Sequence, residues 1–372
     1  MKRLILYVLL SLIAFAVLSV EATCAAEKQR IKAIGIPLAD HYAGVVAYEK
    51  YREQMKHADY QLLILPDPQL VRAYFRSEAD ADVAFTVCPM IMDMFAEKPD
   101  FRWISLIHRD GNALAINDLM NSKTNLNNNK KLRKPDEKVA KAFAEFKKES
   151  GQPVECAVPS PLATHTTVLY KYMKDHNLSV DFQKHHDTDL SLKIVRPPKA
   201  PAYLRKKAAR SLPAAFEQSL PWPEVAESGG YGHIAWYSKD VMKHPNGHVE
   251  CVIIAKNSVI KAKRKALREV IYFIHKAGQD IESARLNGGT ELDEIIKMIQ
   301  THIPQHNKRS IIETLRPDIM AINYKNLNVD KQSKESFRKI MELAFEAGYI
   351  KKLINIEAIA DDSFSTEITK SN

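Results

Sequence analysis

The sequence predicts an α/β protein built on largely parallel sheets. Two observations predict it. Apolar runs of strand length alternate with segments of helical period through the first two-thirds of the chain. At three places a strand, a short polar turn and a helix follow one another directly: IGIPLADHYAGVV, AFTVCPMIMDM and ECAVPSPLATHTTVLYKYM. This alternation is what layered α/β folds require.

Taken in order, residues 31–38 (IKAIGIPL) read as the first strand. Asp40 then stands as an N-cap before AGVVAYEKYREQM, a helical pattern. Residues 60–65 (YQLLIL) form a second strand and 68–76 a helix. Residues 82–87 (DVAFTV) form a third strand, and Pro89 opens a helix at its preferred first position. Residues 101–108 and 113–116 complete a set of five strands. The stretch 117–138 is rich in Asn and Lys, lacks periodicity and reads as an exposed excursion. Beyond it, 139–146 is helical, 154–158 a strand and 166–174 a helix. Residues 192–195 form a strand ended by Pro197-Pro198. A helix at 202–210 and a short strand at 214–216 follow. After the Gly229-Gly230 turn, HIAWYS and VECVIIA read as strands. Helix signals dominate from Ser258 onward, at 259–281, 291–303 and 334–350.

The 372 residues, 45% hydrophobic and 27% charged, allow one large domain or two medium ones. Residues 1–26 read as a secretory signal: Lys2 and Arg3, an apolar run at 4–20, then Ala22, Cys24, Ala25 and Ala26. A retained membrane anchor or a lipid on Cys24 are the alternative fates. No other apolar run reaches the length of about 18 residues that a spanning helix needs. The expected location is the periplasm or another extracytoplasmic space. The net charge of +9 suits anionic ligands. The positive residues are scattered without an aromatic-interleaved basic stripe, so no nucleic acid is expected. Cys88, Cys156 and Cys251 remain after the signal. Their odd number argues against a disulfide framework and for buried single thiols.

Turns that follow parallel strands lie at the edge where α/β proteins hold ligands, and helix N-termini there offer unpaired N–H groups. The bland reading is that these are ordinary βα connections. Asp40, His41 and Tyr42 lie at the first such turn, Thr86 and Cys88 at the second, and Thr164 and His165 at the third. The His165 imidazole could donate to an anion or a carbonyl. Trp222 offers a stacking face. His108 and Arg109 end a strand; an arginine there could clamp an anion, but a solvated strand end is the plainer reading. Three histidine groups were weighed as metal sites: His185, His186 and Asp187; His244 and His248; His302 and His306. Adjacent histidines on extended chain point apart, and Pro245, Gly247 and Pro304 interrupt the other pairs. No metal site, cofactor or catalytic residue is expected. The serine-hydrolase elbow, P-loop, Rossmann fingerprint and zinc-protease helix are absent.

The chain resembles the substrate-binding proteins of nitrate, sulfonate and bicarbonate type ABC importers, a group that includes thiamine-pyrimidine binders. The resemblance runs over 31–364. It rests on IGIPLADHYAGVVAYEK and DADVAFTVCPM as the first two ligand loops and on Thr164-His165 with its aromatic-bearing helix as the third. Pro197-Pro198, the Pro221-Trp222 pair in PWPEVAESGGYGHIAWYS, and the closing AFEAGYIKKLINIEAIADDSF complete it. Leu220 and Pro213 stand where the family favours acidic residues.

The resemblance implies a type II periplasmic binding protein fold, two α/β lobes joined by two crossover strands. Lobe one would comprise 27–117 and 238–372, and lobe two 118–237, with hinges near 116–118 and 237–239. The implied function is capture of a small anion or planar solute in an interlobe cleft, without chemistry. The implied partners are an ABC permease and ATPase, and the chain is expected to be a monomer. A ligand-sensing signalling subunit and a pyrimidine-synthesis enzyme on the same fold are the alternatives.

Overall fold

A computed structural model describes residues 27–77, 80–183 and 187–365. The signal-like segment 1–26 lies outside the described residues. The strands in chain order are β1 (Gln29–Gly35), β2 (Ala58–Ile64), β3 (Val83–Val87), β4 (Phe101–Leu106), β5 (Arg109–Asp110), β6 (Asn112–Ile116) and β7 (Val154–Val158). They continue with β8 (Val180–Asp181), β9 (Leu190–Ile194), β10 (Ala214–Ser219), β11 (His233–Tyr237), β12 (Cys251–Lys256) and β13 (Ile322–Asn323).

Two mixed sheets carry the two lobes. The first has the order β2-β1-β3-β12-β4. β1 runs parallel to β2 and β3, and β3 is apolar and buried along its whole length, as strands covered on both faces are. β12 is inserted antiparallel between β3 and β4, with Cys251 opposite Val87 and Val252 opposite Leu106. The start of β12 therefore lies at the edge where β3 and β4 end. This reversal brings Glu250 and Cys251 to the loops that follow the parallel strands.

Helices Tyr42–Tyr51 and Arg264–Asn287 pack on each other and on β2. The Glu269 carboxylate, on the long helix, accepts hydrogen bonds from the backbone N–H groups of Lys56, His57 and Ala58 at 2.7, 2.7 and 2.9 Å. It anchors the entry to β2. Asp67 caps the helix Pro68–Arg76 by accepting from Leu70 N at 2.9 Å, with Pro68 at the first position.

The second sheet has the order β11-β6-β10-β7-β9-β8. β7, β9 and β10 are parallel, while β6 is antiparallel to both β10 and β11. Asn112–Ile116 pairs in the second sheet, and the chain crosses at Arg109–Gly111, where β5 pairs with β13. β11, an edge strand of this sheet, ends at Tyr237.

The stretch expected to be an exposed excursion is structured. Asn117 caps the helix Asp118–Thr124 and also donates to Leu212 O. Farther on, Lys130 bridges Glu224 of the second lobe and Glu313 of the first, at 2.6 Å each. Asn and Lys here serve as caps and an ion bridge, roles that leave no hydrophobic period. Further ties join the lobes: Ala39 N donates to Leu220 O at 2.9 Å, Gln69 Nε2 to Ser160 Oγ at 2.9 Å, and Arg196 pairs with Asp67 at 3.0 Å.

Among the described residues no helix is long and apolar enough to cross a membrane. Cys88, Cys156 and Cys251 are buried free thiols.

Candidate functional site

The ends of strands from both lobes meet in one buried polar centre. From the first lobe, the loop after β1 supplies Asp40 and His41 on a short turn, Ala39–His41. Gly35 is required just before it: a Cβ there would lie 2.9 Å from His41 Nδ1. That nitrogen sits 2.9 Å from Ile36 N, which donates to it and fixes the ring against its own loop. His108 follows β4, and Glu250 and Cys251 open β12. From the second lobe, Asn112 opens β6 and Ser219 ends β10, held side by side by strand register. Thr164 and His165 open the helix Thr164–Asp175 after β7.

The contacts cross the lobes. Ser219 Oγ donates to Asp40 Oδ2 at 2.7 Å and lies 2.6 Å from His165 Nε2. Asn112 Nδ2 donates to Glu250 Oε1 at 3.2 Å. His108 Nε2 lies 3.4 Å from Glu250 Oε2 and 3.7 Å from Asp40 Oδ2. His165 Nδ1 lies 3.4 Å from Glu250 Oε1, and Cys251 Sγ lies 3.7 Å from Asp40 Oδ2. The backbone carbonyl of Glu250 gathers two expected loops, accepting from Cys88 N at 3.2 Å and Thr164 Oγ1 at 3.3 Å.

Proton count sets the tautomers. Ser219 has one proton, given to Asp40. His165 Nε2 must then donate to Ser219 Oγ, which leaves His165 Nδ1 bare toward Glu250. Asp40 Oδ1, His165 Nδ1, both His108 ring nitrogens and Glu250 Oε2 have no hydrogen-bond partner. Glu217, on β10 two residues before Ser219, is fully buried with both carboxylate oxygens unpartnered. Among the described residues no Lys or Arg pairs with Asp40, Glu217 or Glu250; Asp40 and Glu250 pair with histidines alone. The centre is short of positive charge.

Burial dominates the electrostatics. It lifts the Asp40 carboxyl to about 7, against the opposing pull of His108 and the Ser219 hydrogen bond. Burial also raises Glu217 far above the usual carboxylate range, with Glu250 and Asp40 adding to it. It lowers His41 to about 3 and His165 to about 4, so both rings are neutral at pH 7. For Glu250 burial is overcome chiefly by the neighbouring His108, which holds its carboxyl below the usual carboxylate range.

Asp40, His41, Cys88, Thr164 and His165 are therefore brought together, or to the immediate rim, as the strand–turn–helix pattern suggests. Thr86 points inward along β3, its hydroxyl against Met90 Sδ at 3.5 Å. Tyr42 and Trp222 meet elsewhere: the Tyr42 hydroxyl is 2.9 Å from His306 Nδ1, and the Trp222 ring meets the His306 ring edge-on at 5.1 Å. They form an aromatic seam between the lobes. His108 and Arg109 are not a solvated strand end. Both are fully buried, and the Arg109 guanidinium donates to Asn326 O, Gly247 O and Ser333 Oγ, a structural role.

Sequence reading took His108 for a strand end and Cys251 for a buried thiol, and did not single out Asn112, Ser219 or Glu250. The signal available was the Glu250-Cys251 pair at the head of an otherwise apolar strand. Of the histidine groups weighed for metal, His185 and His186 lie outside the described residues. His248 contacts Ser238 at 3.0 Å, and His302 contacts Glu49 at 2.6 Å. A different group has metal-ligand spacing: one ligand atom each of Asp40, His108, Glu250 and Cys251 lies within 4.8 Å of all the others.

The NMT1-like family model matches residues 25–295, most of the chain. The chain belongs to the NMT1-like family. No curated protein matches it. The structure of this NMT1-like chain is similar to the periplasmic nitrate-binding protein NrtA from Synechocystis PCC 6803, with TM-score 0.73 and 15% identity over 93% of this chain and 89% of that one. It is similar to a zinc-bound ligand-binding component of an ABC-type import system from Staphylococcus aureus, with TM-score 0.67 and 17% identity over 92% and 99% of the two chains. It also resembles the alkanesulfonate-binding protein SsuA from Xanthomonas axonopodis pv. citri bound to MOPS, with TM-score 0.64 and 12% identity over 90% and 99%. These likenesses establish the two-lobed binding-protein fold.

Proposed function

We propose that this NMT1-like chain is the extracytoplasmic solute-binding protein of an ABC importer. One observation carries the reading: residues from facing strand ends of two lobes converge on a single buried polar centre that neither lobe could assemble alone. Asp40, His108 and Glu250 come from one side, and Asn112, His165 and Ser219 from the other. Such a centre forms when the lobes shut and disperses when they part, which is what reversible capture needs. A permease and an ATPase are the partners that would read the closed shape. The fold neighbours include proteins solved as nitrate-binding, alkanesulfonate-binding and ABC-import components, which supports transport over catalysis.

The guest is small and meets carboxylates. Asp40 and Glu250 at the centre, without a lysine or arginine, favour a guest that carries positive charge or presents hydrogen-bond donors over a bare anion. A thermal-shift screen of the purified protein against anions, sulfonates, pyrimidines and divalent cations tests the reading. A bound guest raises the melting temperature by mass action. His165→Ala is expected to abolish that rise, measured against the variant's own unliganded melting temperature, which loss of the buried ring and its Ser219 contact lowers. A rise that survives in the variant would remove His165 from the site.

A further inference from the structure

We propose that the guest captured at this centre is a late first-row divalent metal ion of the Zn2+ type, held by Asp40, His108, Glu250 and Cys251. The inference rests on the solute-capture reading and names its substrate class. Geometry carries it. Metal–ligand bonds of about 2.0–2.3 Å in a tetrahedral shell put neighbouring ligand atoms about 3.3–3.8 Å apart. Three of the separations are His108 Nε2 to Glu250 Oε2 at 3.4 Å, His108 Nε2 to Asp40 Oδ2 at 3.7 Å, and Cys251 Sγ to Asp40 Oδ2 at 3.7 Å. They are the edges of such a shell.

The two His108 separations are also too long for good hydrogen bonds. His108 Nε2 and Glu250 Oε2 are fully buried and have no hydrogen-bond partner. Buried polar atoms without a good hydrogen bond bear an uncompensated desolvation cost, and a cation at their common focus offsets it by ligation. The donors set the class of ion. An imidazole and a thiolate with two carboxylates suit zinc and its neighbours, whereas calcium and magnesium call for oxygen alone.

The surrounding groups fit an outer shell. Ser219 Oγ holds Asp40 Oδ2, and Asn112 Nδ2 holds Glu250 Oε1, so each carboxylate is oriented by the opposite lobe. Hydrogen bonds of this kind orient metal ligands. They also explain why an ion would draw the lobes shut: two ligands gain their orienting partners only on closure. Binding deprotonates the Cys251 thiol and releases that proton to solvent.

The experiment is titration of the untagged, reduced full chain with Zn2+ by calorimetry and with Co2+ by absorption spectroscopy. The expected result is one ion per chain and a near-ultraviolet thiolate-to-cobalt charge-transfer band. Cys251→Ala should eliminate the band, and Cys88→Ala and Cys156→Ala should retain it. His108→Ala should weaken Zn2+ binding by more than about 100-fold, beyond what loss of an orienting partner gives. The band in the unmodified chain is read without any variant, so a variant that fails to fold leaves the test intact. No one-to-one Zn2+ binding, or a cobalt band that persists in Cys251→Ala, overturns the metal assignment. If an organic solute or anion instead gives a His165-dependent thermal shift, the metal assignment falls and solute capture stands. If nothing in the screen binds, both fall.

Discussion

Ser219 Oγ and Asp40 Oδ2, 2.7 Å apart, join the last residue of a central strand in one lobe to the loop after β1 in the other. A hydrogen bond to a charged or partly charged carboxyl contributes about 1.5–3 kcal/mol. Ser219→Ala should therefore weaken guest binding by about 10–100-fold, since 1.4 kcal/mol is tenfold. Calorimetry of the variant with the guest found in the screen checks this. Unchanged affinity would show that the contact forms without contributing to closure.

Lys130 lies between Glu224, which is buried, and Glu313 across the lobe boundary. Lys130→Met leaves the Glu224 carboxylate buried and unpaired. Breaking a buried pair from one side costs about 3–5 kcal/mol. The midpoint of denaturant unfolding should fall accordingly, and Lys130→Arg should recover much of it. Equal midpoints for the Met variant and the parent would mean that the bridge is solvated in solution.

Much of this arrangement is legible in the sequence, and the limits have physical causes. The loops after β1 and β7 announce themselves because strand, polar turn and helix are contiguous, so Asp40 and His165 can be picked out. Glu250 and Cys251 cannot be found that way. They reach the site only because β12 inserts antiparallel, which moves a strand beginning to the edge where other strands end. Local period does not encode strand order. His108 and Arg109 read as solvent-facing because charged residues at a strand end usually are, yet the β5–β13 pairing covers them. Trp222 and Tyr42 are aromatic at the right loops, but His306, far along the chain, gathers both.

His306 gives a test in pH. Burial lowers its imidazole to about 3, well below its ordinary value of 6.5. The unfolded chain therefore takes up a proton below pH 6.5 that the folded chain refuses until about pH 3. Its stabilising contribution is full above pH 6.5 and is lost as the pH falls through that window. At 1.36 kcal/mol per pH unit the loss is roughly 2 kcal/mol by pH 5. Urea unfolding of His306→Gln at pH 7 and pH 5 should show a difference between the two pH values smaller by about that amount. An identical pH dependence in parent and variant would place the protonation elsewhere.

Glu269 accepts three backbone N–H groups at the start of β2. Glu269→Ala leaves those donors to water and frees the turn before the strand. The expected cost is about 1.5–3 kcal/mol, measured as a shift of the unfolding midpoint. Faster amide exchange at Lys56, His57 and Ala58 should accompany it, and unchanged exchange would argue against the anchor.

The central claim is that two lobes shut over the Asp40–Glu250 centre. Small-angle X-ray scattering of the purified protein, with and without the guest that raises its melting temperature, tests this most directly. A smaller radius of gyration with guest, absent in His165→Ala, is the predicted result. Identical scattering curves with the guest bound at saturation would contradict it.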